Sequence, residues 1–244
     1  VKYAGIDARM IEREEAEYIE ANLVTVPSVF AFRSFVEQGI PAEKLRLLSY
    51  GVNVSRFQPV GKPAENHFDI LYVGAMSLQK GIQYLVQAYQ KIKHPNKSLT
   101  FVGAPSQGLI KMLKMHNLWP ADAKVLGHVQ QIELKHIMSR SHVLVLPSIQ
   151  DGFGMVMAQA MACACPVIAS HNTGGKDLFA DGNEGFIVPI RDVDVLTDRL
   201  QQLADKPEQR AVMGKRALER AQAMGGWNDY GEKAMAIYKE VLQK

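Results

Sequence analysis

With 244 residues, 47% of them apolar, the chain is long enough for one large packed domain or two small ones and has the apolar side chains to build a core. A net charge of +3 without any run of Lys or Arg excludes a nucleic-acid-binding arm, and no apolar stretch is long enough to span a bilayer. Cys163 and Cys165 stand one residue apart, in no metal or redox spacing, and no leader-type segment opens the chain, so a cytoplasmic protein with reduced thiols is expected.

In chain order, residues 9–21 are rich in Glu and Ala and predict a helix. Residues 23–26 predict a short strand, and Pro27-Ser28 open a helix, with Pro favoured in a first turn. Gly39 ends that helix and Pro41 prevents its continuation; residues 45–48 form another strand. Residues 51–66 carry Pro59, Gly61 and Pro63 without periodicity and read as a linker. A regular alternation follows. Strands at 69–73, 98–102, 124–127 and 143–146 alternate with helices at 79–93, 106–116, 131–139 and 154–163. Strand 166–169 leads through a loop to strand 186–188, and helices at 192–205, 206–223 and 229–243 complete the chain. Strands separated by helices imply βαβ units, hence a parallel sheet covered on both faces. The class is therefore α/β: a Rossmann-like parallel sheet over residues 67–222, preceded by the tail of a second α/β domain.

The chemistry concentrates in four loops. Asp151-Gly152-Phe153-Gly154-Met155-Val156 follows an apolar strand and opens a helix, and Gln159 stands eight residues after Asp151. A Gly-x-Gly turn at a helix start presents free backbone N–H groups beside a positive helix end, which is a phosphate site. Gly74-Ala75-Met76-Ser77-Leu78-Gln79-Lys80-Gly81 joins a strand to a helix and offers a cation. His171-Asn172-Thr173-Gly174-Gly175-Lys176-Asp177 and Gly127-His128-Val129 each follow a strand. No Gly-x-Gly-x-x-Gly fingerprint or Gly-x-Ser-x-Gly elbow occurs, which argues against NAD binding and serine hydrolysis.

Together with Pro147-Ser148 before it and Cys163-Ala164-Cys165-Pro166-Val167 after it, the 151–159 segment resembles the donor-binding signature of retaining GT-B glycosyltransferases, the group 1 (GT4-like) family. That family has Glu, seven residues, Glu where this chain has Asp151 and Gln159; it has Gly-Arg, then Lys-Gly, where this chain has Gly74-Ala75, then Lys80-Gly81. The resemblance covers nearly all of residues 20–243. It implies that residues 1–50 end an N-terminal acceptor domain, 51–66 link the domains, 67–222 bind a nucleotide sugar, and 223–244 cross back to the N-terminal half. By resemblance, Asp151 lies against the transferred sugar and Lys80 grips the diphosphate, both as catalytic residues. Gly74, Ser77, Val129, Gly152, Phe153, Gly154, Met155, Val156 and Gln159 join Lys80 in holding the donor.

The family holds the diphosphate without an obligatory metal, so no cofactor and no metal are expected. The implied activity is transfer of a hexosyl group from a nucleoside-diphosphate sugar to a glycan or lipid-linked acceptor, as in polysaccharide biosynthesis. The implied partners are that donor, the acceptor and the missing N-terminal domain, with no nucleic acid and any membrane contact peripheral. The start at Val1 rather than Met suits a fragment, and this chain alone should bind donor but transfer little. The departures at Asp151, Gln159 and Ala75 keep open an alternative, a non-catalytic nucleotide-sugar-binding or assembly module. Lys176 is a candidate replacement for the missing Arg, beside its reading as an exposed turn lysine. Ala164, where the family has Gly, is expected at positive φ.

Overall fold

The computed structural model describes residues 7–243. Helix α1 (Ala8–Glu20) is followed by strand β1 (Val24–Val26), helix α2 (Val29–Glu37), a 3-10 turn (Ala42–Lys44) and strand β2 (Leu45–Leu47). β1 and β2 pair in parallel as a separate two-stranded sheet, with a small core of Val26, Ala31 and Leu45. Ser28 is the cap of α2, its Oγ accepting the Ala31 N–H at 3.0 Å. Pro27 therefore precedes the helix rather than lying in its first turn, because a side-chain cap needs extended backbone at Ser28 (φ −150°, ψ 160°).

The main body is a six-stranded parallel sheet: β3 (Phe68–Val73), β4 (Lys97–Val102), β5 (Lys124–Val125), β6 (Val143–Leu146), β7 (Val167–Ser170) and β8 (Gly185–Val188). Its spatial order is β5-β4-β3-β6-β7-β8. Every residue of β6 and β7 is buried, as expected of parallel strands covered on both faces. The layers are α3 (Ile82–Lys91), α4 (Gln107–Met115), α5 (Gln131–Arg140), α6 (Met155–Ala162), a one-turn α7 (Gly175–Leu178), α8 (Val193–Asp205) and α9 (Pro207–Ala223). α3 packs on α8, and α6 on α9. One contiguous core runs from Val52 to Ala221.

Several boundaries differ from the sequence reading. α3 begins at Ile82, not at 79, because Gly81 sits at φ +74° and holds the loop out of helix. β5 pairs over two residues only, at the sheet edge. The supposed linker is partly core: Val52 and Phe57 are 2% and 3% exposed and belong to the large cluster. Asn53 explains the turn between them, its Oδ1 accepting from the Ser55 and Arg56 N–H groups at 3.1 Å. The last helix, α10, spans Trp227–Leu242 and buries none of its residues completely. It lies against the N-terminal segment through the Arg46–Glu240 ion pair and ring contacts of Tyr50 with Trp227 and Tyr230. Ala164 does adopt positive φ, +59°.

The strand order reverses direction between β3 and β6. In such sheets a crevice opens outside the carboxyl ends of the two strands at the reversal. The loops leaving β3 and β6 are 74–81 and 147–154, two of the four singled out above.

Candidate functional site

The two switch-point loops meet backbone to backbone. A Cβ on Gly81 would lie 2.0 Å from the Pro147 carbonyl oxygen, and one on Gly103 would lie 2.1 Å from that of Gly74. Glycine is required there because any side chain would push the loops apart. Gly154, at φ +78°, ends the second loop and caps α6 with no side chain, so the first N–H groups of that helix remain for a ligand. A Cβ on Gly154 would meet the Leu146 side chain at 2.6 Å.

Between these loops lies a cavity of about 460 Å³. Gly74, Lys80, Asp151 and the whole 152–156 turn line it. Lys80 Nζ donates to Asp151 Oδ2 at 2.7 Å, with their side chains 29% and 17% exposed. The second carboxylate oxygen, Oδ1, accepts the Phe153 N–H at 3.3 Å. One aspartate thus braces the glycine turn and orients the lysine. Tyr72 lines the same cavity and donates from its hydroxyl to the Ala75 carbonyl at 2.8 Å. Burial, and then the Asp151 charge, push its phenol well above the ordinary range, so it remains a neutral donor.

A second cavity, about 370 Å³, adjoins the first across Phe153 and Met155, which line both. Gln159 lines it together with Arg56, Gln131 and Trp227. Phe153, Tyr50 and Trp227 form an aromatic chain along this boundary, with ring centroids 5.3 Å and 6.1 Å apart.

Of the eleven residues singled out from the sequence, nine line these two cavities and two do not. Ser77 Oγ accepts the Lys80 N–H at 3.2 Å and so shapes the loop from behind. Val129 packs on the core in the loop leading to α5, whose first residue, Gln131, reaches the second cavity. Lys176 lines a separate cleft with Arg33, away from Lys80, so it does not stand in for an arginine at the first cavity. Asp177 is spent on structure, both carboxylate oxygens accepting the Val29 N–H at 3.0 and 3.3 Å. The sequence reading missed Tyr50, Tyr72, Arg56 and Trp227. They come from segments far apart in the chain, and only the aromatic residues flanking glycines at Gly51 and Gly226 could have signalled two of them. Among the described residues no group of three His, Cys, Asp or Glu side chains could hold a metal ion, and no helix is long and apolar enough to cross a membrane.

Comparison with known proteins places this arrangement. A family model described as Glycosyl transferases group 1 matches residues 54–220. The glycogen synthase of Mycobacterium tuberculosis is 24% identical over 200 residues, 80% of this chain and 48% of that protein. The sucrose-phosphate synthase of Thermosynechococcus elongatus superposes with a TM-score of 0.85 at 26% identity, over all of this chain and 64% of the other. An Anabaena protein, HepE, solved in complex with UDP-glucose, shares the fold with a TM-score of 0.83 at 19% identity, over 96% of this chain and 68% of the other. The chain spans about half the length of the curated relatives it matches.

Proposed function

The chain belongs to the group 1 glycosyl transferases, and from that membership we propose that it is the donor-binding part of a retaining enzyme that moves a hexosyl group from a nucleoside-diphosphate sugar. The observation that carries the reading is the convergence of Lys80 and the uncapped start of α6 on one cavity at the β3/β6 reversal. A departing diphosphate needs a cation and preorganised N–H groups where its charge grows, and this cavity supplies both. The HepE complex with UDP-glucose, in the same fold, supports the choice of ligand class.

The donor would occupy both cavities. The diphosphate sits at Gly152–Val156 and Lys80, the ribose beside Gln159, and the base in the space bounded by Arg56, Gln131 and Trp227. Gln159 is a neutral partner for the ribose, so its hydrogen bond is weaker than a carboxylate's by about 1 kcal/mol. Asp151 lies where the sugar would be, bracing the turn and releasing Lys80 to the phosphate. The diphosphate is held without a metal ion. The acceptor hydroxyl attacks the anomeric carbon from the face the diphosphate leaves, a departing phosphate oxygen takes its proton, and configuration is retained. The acceptor, a glycan or lipid-linked sugar, is held by chain beyond this one, in a cytoplasmic enzyme.

Titration calorimetry with UDP, GDP and ADP tests the donor site. One nucleotide saturates the site, and Lys80→Ala weakens it by about tenfold to a hundredfold, the value of one hydrogen bond to a charged group. No binding of any of the three, with the fold intact, would remove the donor reading. The alternative, a non-catalytic binding module, is favoured by Ala75, where the second cation would stand. It is tested by Ala75→Arg with Gln159→Glu in the complete protein: on that view turnover rises, and unchanged turnover removes it.

A further inference from the structure

A third cavity lies at the other end of the sheet, beneath the starts of β3 and β6. At about 660 Å³ it is larger than either donor cavity. It runs between the 61–66 strap and the side of α9, with apolar walls that include Pro63, Pro166 and Leu218. His142 lines it and is 3% exposed. The ring's Nδ1 accepts the Asp69 backbone N–H at 2.8 Å, so a neutral imidazole carries its proton on Nε2. That Nε2–H has no hydrogen-bond partner among the described residues and is not sealed from solvent, so it is left to donate to whatever occupies the cavity, water included.

Cations outnumber carboxylates on its lining, and the Asp69 carboxylate stands behind the His142 ring, 3.5 Å from Nδ1. Lys62, Arg210 and Lys215 line the cavity, against a single carboxylate, Glu65. Lys62 and Lys215 meet Glu65 and Glu219 only at 3.7 and 3.8 Å, both pairs exposed. Arg210 is anchored by one amino group on the Leu203 carbonyl and by its plane over the Phe68 ring, 5.5 Å to the centroid. Its other N–H groups have no partner among the described residues. Apolar walls with a few convergent donors are the makings of a small-molecule site.

We propose that this cavity binds a small organic anion, a carboxylate or phosphate monoester on an apolar body, independently of the nucleotide. The anion accepts from His142 Nε2 and Arg210, and the body lies along the proline wall.

The test is ¹H–¹⁵N NMR titration of the chain with benzoate, with phenyl phosphate, and with uncharged benzyl alcohol as control, in the presence of saturating UDP. Either anion, or both, should give saturable shifts at residues 61–66, 139–142 and 207–218, and benzyl alcohol should not. Lys62→Ala with Lys215→Ala should weaken binding about threefold or more, as the loss of two exposed ion pairs implies. His142→Asn keeps an acceptor for the Asp69 N–H but removes the Nε2 donor, and should weaken binding about tenfold or more. The double lysine variant, altered only at exposed positions, keeps the test alive if the histidine variant fails to fold. Shifts confined to the donor cavities, equal shifts from benzyl alcohol, or no saturation in the millimolar range would overturn the proposal.

Discussion

The large sheet and the N-terminal segment are held by different forces. The sheet has one continuous core, with side chains such as Leu71, Leu144 and Ile168 at 0% exposure. Residues 7–50 have four buried apolar side chains, Val26, Ala31, Leu45 and Leu48, and leave Ile19, Val36 and Leu47 exposed by 69%, 41% and 47%. They attach to the sheet mainly through polar contacts, Ser28 Oγ on the Gly152 carbonyl and the Val29 N–H on Asp177, with the Tyr50 ring against Phe153, while Arg46 pairs with Glu240 of α10. A part stabilised by apolar burial melts as a unit, and one stabilised by a few polar contacts opens locally. The two should therefore respond to substitution separately.

The largest expected effect is in the core. Leu144→Ala should cost about 2–5 kcal/mol and lower the urea midpoint of the whole sheet, with the N-terminal amides following it. If Leu144→Ala loosened residues 7–50 alone, the contrast would be wrong. Gly81→Ala comes next. Its Cβ would lie 2.0 Å from the Pro147 oxygen, and positive φ alone costs an alanine about 1 kcal/mol. The switch-point loops must part, so nucleotide affinity should fall further than stability does, as calorimetry beside thermal melting would show.

Val26→Ala should cost about 1–2 kcal/mol within the small cluster. Hydrogen exchange should quicken over residues 24–47 while β3, β4 and β6 keep their protection. Uniform acceleration would mean one cooperative unit instead. Arg46→Ala should do least: faster exchange in α10 with the sheet's melting unchanged.

The same contrast explains what the sequence revealed. β3, β6 and β7 were legible because a doubly covered parallel strand is a largely continuous apolar run, such as Val143-Leu144-Val145-Leu146, and β4 from its alternation Ser98-Leu99-Thr100-Phe101. The 51–66 segment misled because its two anchors, Val52 and Phe57, are too few to make a period, although both are buried. The helix predicted from 79 started late because a left-handed glycine, not a polar cap, precedes it. At the site, the glycine turn, Lys80 and Asp151 were legible as local motifs. Tyr72 was not, since an apolar strand gives no hint that one of its rings reaches the Ala75 carbonyl. Lys176 misled for the opposite reason: a loop sequence does not say which of two clefts its side chain faces.

The Lys80–Asp151 pair has a consequence for ionic strength. An empty anion site with a bare lysine would lose affinity steeply as salt rises, because only the complex would contain an attraction to screen. Here an attraction exists before the ligand arrives, 2.7 Å long and part-buried. Binding exchanges one counter-charge for another, and salt weakens both sides of the exchange. Affinity for a diphosphate should thus vary less with salt than its charge suggests, and Asp151→Asn, which leaves Lys80 without its partner, should steepen that dependence.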